Sequence, residues 1–187
     1  MRKLLLVMLL LLFCGFAVGQ DATKGELFAG YSFAHFDCHG CNDANVPAGF
    51  DVDGTYYLFK NLGLTGDFDY HHKSLSLQDG SGYVSAFSFH AGPRFKVRIG
   101  KVEPFAHALF GITDIGFSNN AKFLNSTGSC FSLKLGGGVD VAAFKHVALR
   151  LGEFNYYRTD YSITSPVNLN GQGSQNNYTF SAGIVLR

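Results

Sequence analysis

The chain is poor in charge and contains no tryptophan. Only 16% of its 187 residues are charged, against about 25% in ordinary soluble domains, and the formal net charge is +1. So small a net charge excludes a nucleic-acid-binding protein built on a broad basic surface. The chain is not a disordered tail either, because such tails are poor in aromatic residues, whereas this chain holds 19 Phe and 9 Tyr.

Long apolar runs are also scarce, and the longest lies at the N-terminus. Two basic residues precede an apolar run over residues 4–13, and the small residues Ala17 and Gly19 follow it. This order is typical of a secretory signal peptide, so we predict a signal peptide over residues 1–19 and one exported domain over residues 20–187. A membrane anchor is the weaker alternative, because the uncharged stretch is a little short for a spanning helix.

The exported part alternates apolar and polar residues with a period of two, which indicates β-strands. The clearest segment is 131–141, where apolar residues occupy the odd positions and Ser, Lys, Gly and Asp the even ones. Eight such segments follow one another, each of about ten residues, the length that crosses a bilayer at a barrel tilt. A slip of phase near Gly152 predicts a β-bulge. We therefore predict an all-β fold, an eight-stranded antiparallel up-and-down transmembrane β-barrel.

Alternation alone does not show which solvent the apolar face meets. A soluble lipocalin-like barrel turns that face inward, whereas a membrane barrel turns it outward. No charged residue lies on the apolar face of any segment, where Lys or Arg would cost about 2–4 kcal/mol at mid-membrane. Short and long connections also alternate, as they do in transmembrane barrels. The short ones are 60–61, 95–101 and 143–146, and the long ones are 35–49, 72–82, 116–129 and 159–175. Lipid outside the barrel is therefore the prediction.

Four stretches show a family resemblance: residues 25–32 (GELFAGYS), 91–94 (AGPR), 104–111 (PFAHALFG) and the last strand, 178–187. Together they make the chain similar to the small eight-stranded outer-membrane barrels of the OmpA type, the outer membrane protein beta-barrel domain family. The resemblance covers essentially the whole exported part and implies residence in the outer membrane of a Gram-negative bacterium, in contact with lipid. The sequence gives no support for a peptidoglycan-binding domain, so we expect no cell-wall tether, and Arg187 stands where such barrels usually end in an aromatic residue.

Charged residues within the strands occupy the polar face, which is the inner face of the predicted barrel. If the hairpins turn at the short connections, opposite charges meet in four pairs: Glu26 with Arg187, Arg94 with Glu103, Asp140 with Arg150, and Lys134 with Glu153. Buried charges persist when they are paired, and an eight-stranded lumen has room only for side chains. We therefore expect a structural plug that closes the lumen, with an ion pathway as the alternative.

A second group of titratable residues lies higher in the predicted lumen. A turn at 60–61 would place Asp53 opposite Asp69 and Asp51 opposite His71, with Asp67 beside them. Adjacent carboxylates recruit a proton or a cation, and Asp with His near the outer rim loosely resembles the catalytic groups of outer-membrane proteases. A hydrolase acting on lipid or peptide is therefore an alternative function. The simpler interpretation is a hydrated acidic lumen, and we predict no enzyme activity, no cofactor and no metal.

Three cysteines follow the signal segment, and all fall in predicted outer loops. Cys38 and Cys41 lie in the first long loop, and Cys130 ends the third. In an exported protein we expect a disulfide, either between Cys38 and Cys41 or from the first loop to Cys130, because a single CxxC is a weak metal signal.

The long loops are rich in Asn, Ser, Gly and Asp, and loops on a rigid scaffold often carry recognition. The sequence thus predicts a monomeric outer-membrane barrel with a structural or surface-interaction role, in contact with membrane lipid and with an unidentified extracellular ligand. The outer-membrane hydrolase and the soluble lipocalin-like carrier remain the alternatives.

Overall fold

The computed structural model describes residues 24–35, 45–77, 80–119, 126–160 and 174–187; the predicted signal peptide lies outside them. Nine strands follow in chain order: β1 Gly25–His35, β2 Asn45–Val46, β3 Ala48–Tyr57, β4 Leu62–Leu77, β5 Gly80–Lys96, β6 Val102–Asn119, β7 Ser126–Phe144, β8 Val147–Asp160 and β9 Ser174–Leu186. Within these residues, no helix is long and apolar enough to cross a membrane.

The strands form one closed antiparallel sheet. Each strand from β3 to β9 pairs with the next, and β1 pairs with both β3 and β9. Eight strands therefore close the up-and-down barrel, and the predicted fold is confirmed. The two-residue strand β2 pairs with the end of β1 and was not predicted. A register shift between Arg150 and Glu153 confirms the predicted bulge near Gly152.

Apolar side chains point outward from every strand of the barrel. In β1, Tyr31 is 58% exposed, whereas its neighbour Ser32 is fully buried. The same alternation exposes large apolar residues on all eight strands, among them Leu27, Phe50, Leu64, Phe89, Phe110, Leu135, Phe154 and Ile184. The inner face is mostly polar or charged. A soluble lipocalin-like carrier needs the opposite arrangement, so the structure argues against that alternative.

The outward apolar band ends at one level, at the end of the barrel opposite the short turns. His72 pairs with Ser85 there, and Arg158 pairs with Asn176. The outward polar residues at this level, which we call the outer rim, are His35, His72, Ser85, Asp114, Ser129, Arg158 and Asn176. Between the short turns and the outer rim each strand that carries a rim residue contributes 11 to 16 residues, enough for the roughly 9–11 residues of a tilted membrane strand.

Within the described residues, four strands continue at least three residues past the outer rim. β4 and β5 stay paired as far as Leu77 and Gly80, and β6 and β7 stay paired as far as Phe117 and Ser126. The connections predicted as long loops at 72–82 and 116–129 are therefore largely strand. Strands that pair in water do not need an apolar outer face, so the alternation does not reveal them. We call residues 73–77, 80–84, 115–119 and 126–128 the outer hairpins. Five residues of strand extend about 16 Å.

Glycine on the inner face allows the strands to approach closely in so narrow a barrel. A Cβ atom on Gly92 would lie 2.1 Å from the carbonyl oxygen of Ala108, a backbone atom that cannot easily move. A Cβ atom on the outward Gly66 would meet nothing within 4 Å. The inner face therefore requires glycine at positions such as 92 because of space rather than backbone conformation.

Candidate functional site

The layer of the lumen nearest the short turns is organised around Lys96. The alternation predicts a turn over 95–101, but β5 continues to Lys96, so its buried side chain points inward. Its Nζ lies 2.5 Å from Glu26 Oε2 and 2.7 Å from Asp140 Oδ2. The Tyr57 hydroxyl donates to the same Glu26 oxygen over 2.9 Å. Glu26 therefore binds Lys96 and not Arg187, and the predicted Glu26–Arg187 pair is wrong.

The second ion pair of this layer joins Arg187 to Glu103. Arg187 donates from Nη1 to both carboxylate oxygens of Glu103, over 2.6 and 2.7 Å. The predicted Arg94–Glu103 pair is also wrong, because the β5–β6 register places His107 opposite Arg94. The turn between β5 and β6 lies further from Arg94 than the predicted turn over 95–101, since β5 ends at Lys96.

Arg150 occupies the middle of the lumen and contacts three carboxylates. The fully buried guanidinium donates to Asp140 over 2.9 Å, to Asp53 over 2.6 Å and to Glu153 over 2.6 Å. Asp140 is its Cα partner across β7 and β8, so this pair matches the prediction. Asp53 lies on β3, on the other side of the barrel, so a single side chain ties distant strands together.

Aromatic rings cover the guanidinium groups of this middle layer. The Arg150 guanidinium carbon lies 4.0 Å from the ring centre of Phe28 and 4.4 Å from that of Phe105. Arg94 lies 4.8 Å from the Phe105 ring and donates to both carboxylate oxygens of Asp53, over 2.6 and 2.9 Å. A cation–π contact stabilises a desolvated cation by about 2 kcal/mol. This explains why Phe28 and Phe105 point into a lumen that is otherwise mostly polar.

Neutral polar side chains extend the middle layer. Arg94 donates to His107 Nδ1 over 3.2 Å, and the His107 Nε2 atom lies 2.7 Å from Asn155 Oδ1. The amide of Asn155 in turn donates to Glu153 over 2.8 Å. Buried polar groups are stable when they are hydrogen-bonded in this way.

Lys134 holds the upper layer together. Its Nζ lies 3.0 Å from both Asp67 oxygens, 2.9 Å from Asp69 Oδ2 and 4.0 Å from Asp51 Oδ2. The predicted Lys134–Glu153 pair is therefore wrong, because the ammonium group reaches across the lumen to β4. The carboxylates of the predicted acidic group do lie close together in the lumen. They are buried and do not contact bulk solvent.

The facing residues of the acidic group differ from the prediction by two positions. The turn between β3 and β4 spans residues 58–61 instead of 60–61. The observed Cα partners are Asp51 with Asp69, Asp53 with Asp67, and Gly49 with His71. His71 Nε2 instead lies 3.0 Å from Ser32 Oγ on β1.

Two sets of side chains in this layer have metal-ligand spacing. Asp67, Asp69 and His90 form one set, and Asp51 and Asp53 with Asp67 form the other, with ligand atoms within 4.8 Å of one another. The Lys134 ammonium already lies in hydrogen-bond contact with Asp67 and Asp69. It supplies the positive charge that a metal ion would otherwise bring, so we assign no metal to these residues.

A serine, a histidine and an aspartate also meet here, a set that the sequence analysis did not combine. Ser132 Oγ lies 2.9 Å from His90 Nε2, and His90 Nδ1 lies 3.3 Å from Asp67 Oδ1. This is the order of groups in hydrolytic triads. Ser132 and His90 have no exposed surface, however, and Thr113 donates to Ser132 over 3.1 Å. A substrate carbonyl cannot reach so enclosed a hydroxyl, so these hydrogen bonds satisfy buried polar groups.

The predicted disulfide involves residues only partly described. Cys130 is buried, and its Sγ lies 3.6 Å from the carbonyl oxygen of Thr113. Cys38 and Cys41 lie outside the described residues, so a disulfide among the three stays a prediction.

We call the charged residues of these layers together the lumen network: Glu26, Asp51, Asp53, Asp67, Asp69, Arg94, Lys96, Glu103, Lys134, Asp140, Arg150, Glu153 and Arg187. Many of its contacts join strands that are not neighbours in the sheet, such as Lys134 on β7 with Asp67 on β4. Nearer the outer rim, Ser88 on β5 and Tyr157 on β8 are hydrogen-bonded over 3.0 Å. Side chains thus fill the cross-section of the lumen at several levels.

The chain is similar in sequence to known outer-membrane proteins. A family model described as "Outer membrane protein beta-barrel domain" matches residues 4–187. The attachment invasion locus protein of Yersinia enterocolitica is 31% identical over 81 residues, which are 41% of this chain and 46% of that protein. The chain thus spans about half the length of the curated relative that it matches.

Solved structures show the same fold at low sequence identity. The attachment invasion locus protein of Yersinia pestis superposes with a TM-score of 0.57 and 18% identity, over 87% of this chain and 98% of that one. Neisserial surface protein A superposes with a TM-score of 0.61 and 14% identity, over 90% and 98%.

Proposed function

This chain belongs to the outer membrane protein beta-barrel domain family, and from that premise we propose that it is a sealed, non-enzymatic barrel that contacts partners outside the cell through its outer hairpins. The family confirms the resemblance stated from the sequence, and the chain is a β-barrel of the outer membrane. Export by a signal peptide over residues 1–19 and a monomeric state are parts of the proposal.

One observation carries the proposal: β4, β5 and β6 extend about 16 Å past the outer rim and β7 about 10 Å, and the strands remain paired there. Membrane barrels place short turns in the periplasm and longer connections outside the cell, so the outer hairpins face the surroundings of the bacterium. A rigid, hydrogen-bonded sheet that extends from the membrane presents a recognition surface at little cost in conformational entropy.

The lumen network supports a role at the surface over transport or catalysis. Contacts across the barrel fill the path that a solute would take, and the Ser132–His90–Asp67 arrangement has no exposed nucleophile. The network serves in this proposal as a structural plug that stiffens the scaffold below the hairpins.

The names of the relatives agree with contact outside the cell. The relative in Yersinia enterocolitica is named for attachment and invasion. The Yersinia pestis protein has been solved with the heparin analogue sucrose octasulfate, and that structure superposes on this chain with a TM-score of 0.58 and 18% identity. We propose a comparable extracellular ligand for this chain.

Trimming the outer hairpins tests the proposal. Because His72 pairs directly with Ser85 and Asp114 with Ser129, each hairpin can be closed at the outer rim with a two-residue Asn-Gly turn. We expect a non-adherent laboratory strain to bind cultured epithelial cells when it displays the full chain. The trimmed chain should lose most of that binding, measured by counting adherent bacteria.

Two controls keep this experiment informative. The trimmed chain should still show the faster migration of an unboiled, folded barrel on a gel, so that lost adhesion is not lost folding. Soluble heparin as a competitor distinguishes a sulfated polysaccharide from other receptors. Equal adhesion of the full and trimmed chains, or no adhesion by the full chain, would contradict the proposal.

A further inference from the structure

Each short turn of the barrel exposes a large apolar side chain next to a lysine. The apolar side chains are Phe59, Ile99 and Phe144, which are 68%, 65% and 75% exposed. The lysines are Lys60 in turn 58–61, Lys101 in turn 97–101 and Lys145 in turn 145–146, and all of them are exposed. The same pair of residue types recurs in three turns that are distant in sequence.

No acidic residue lies in these turns, so the end of the barrel is positively charged. Two carboxylates at this end, Glu26 and Glu103, point into the lumen, where Lys96 contacts Glu26 and Arg187 contacts Glu103. Arg98 also lies 3.5 Å from Glu26, so both carboxylates are paired with cations other than the three turn lysines.

Arg98 adds a cation and connects two of the turns. It donates from Nη1 to the backbone carbonyl oxygen of Lys60 over 2.6 Å, and its guanidinium carbon lies 4.6 Å from the Tyr57 ring centre. The first two turns are thereby held together at the barrel edge.

The apolar members of the turns continue the lipid-facing band. Phe59 and Ile99 lie in the turns next to outward apolar residues of the strands, such as Leu62, Phe95 and Val102. Those strand residues are themselves exposed. In a membrane barrel the short turns face the periplasm, so Phe59, Ile99 and Phe144 lie at the level where acyl chains meet headgroups. The neighbouring lysines then lie at the level of the lipid phosphates.

We propose that this end of the barrel binds anionic phospholipid headgroups of the periplasmic leaflet. The surface, which we call the basic collar, consists of Lys60, Arg98, Lys101 and Lys145 with Phe59, Ile99 and Phe144. A cation near an anionic membrane surface strengthens binding by about fivefold. The continuity of the apolar band favours lipid over a periplasmic protein or the cell wall. This inference does not depend on the outer hairpins.

The absence of tryptophan from the chain makes a direct test possible. Phe144→Trp places a single fluorophore in the basic collar. The protein is reconstituted in vesicles of phosphatidylethanolamine and phosphatidylglycerol, with bromine carried by one lipid or the other. Brominated phosphatidylglycerol should quench the fluorescence more strongly than brominated phosphatidylethanolamine at equal mole fraction, because the collar enriches the anionic lipid around it.

Removing the lysines should remove that preference. In the K60S/K101S/K145S background both brominated lipids should quench equally, and about 1 M salt should have the same effect because it shortens the Debye length to about 3 Å. Phe131→Trp, on the same strand near the outer rim, and Arg158→Ser, at the outer rim, serve as matched controls. The first should show no preference between the lipids, and the second should leave the Phe144→Trp preference intact.

The proposal is overturned by equal quenching with the lysines present, by a preference that survives their removal, or by a fluorophore that neither lipid quenches. Binding of the chain to purified peptidoglycan that requires the three lysines, without a lipid preference, would also overturn it. Phe59→Trp repeats the measurement in a second turn if Phe144→Trp folds poorly, and migration of unboiled protein on a gel reports folding in every variant.

Discussion

Arg150→Met will destabilise the barrel by about 3–5 kcal/mol or prevent its folding. Removing one partner of a buried ion pair costs about this much, and here one guanidinium contacts Asp140, Asp53 and Glu153. Methionine fills a similar volume beside Phe28 without supplying charge or donors. The lost stability therefore measures uncompensated carboxylates in a low-dielectric lumen rather than an empty cavity.

Urea titration of folding into lipid vesicles measures this effect. Arg158→Met is the matched control, because Arg158 lies outward on the same strand at the outer rim and is exposed; a surface change of this kind costs within about 0.5 kcal/mol. Arg150→Lys should fall between the two, since it keeps the charge but cannot donate to three carboxylates at once. An Arg150→Met barrel as stable as the unchanged chain would refute the structural role of the lumen network.

Leu135→Arg will destabilise the folded barrel in vesicles, lowering its free energy of unfolding by about 2–4 kcal/mol. This is the cost of an arginine on the lipid face at mid-membrane. Leu135 points outward from the centre of β7 and is 42% exposed, with Ala108 and Tyr156 as its cross-strand partners. In water an exposed leucine is replaced by arginine at little cost, so the penalty is specific to lipid.

The same strand provides the control for this prediction. Ser129→Arg at the outer rim should cost about 0–1 kcal/mol, because arginine there reaches the headgroups. Leu135→Ala separates the loss of apolar contact from the cost of charge. Equal costs for Leu135→Arg and Ser129→Arg would contradict a bilayer around the apolar band.

The fold could be predicted from the sequence because lipid imposes a simple rule on one face. Every second residue between the short turns and the outer rim must be apolar and uncharged, whatever its neighbours are. The alternation in 131–141 therefore indicated both the strand and its outward face. Beyond the outer rim this rule does not apply, so the sequence predicts loops where the structure has the outer hairpins.

The contacts of the lumen could not be predicted in the same way. Pairing residues across adjacent strands assumes that side chains stay with their neighbours, but Lys134 and Arg150 reach carboxylates on the far wall. Small errors in turn length also shifted the register of β3 with β4 by two residues. Lys96 shares the inward parity of Arg94, so the alternation would have placed it in the lumen if the strand had been extended by two residues.

The inner aromatic residues gave a weaker signal. Phe28 and Phe105 occupy positions where the alternation calls for polar residues. Such exceptions are explained by the cations that they cover, and no pattern along a single strand reveals those cations.

Planar-bilayer conductance shows whether cross-lumen ion pairs seal this barrel, as a role confined to its surface requires. The folded, unchanged chain inserted into a bilayer should give no stable channel, because Arg150, Lys134 and their carboxylates fill the lumen. Stable, large conductance steps from the purified barrel would contradict the claim and indicate an open pore.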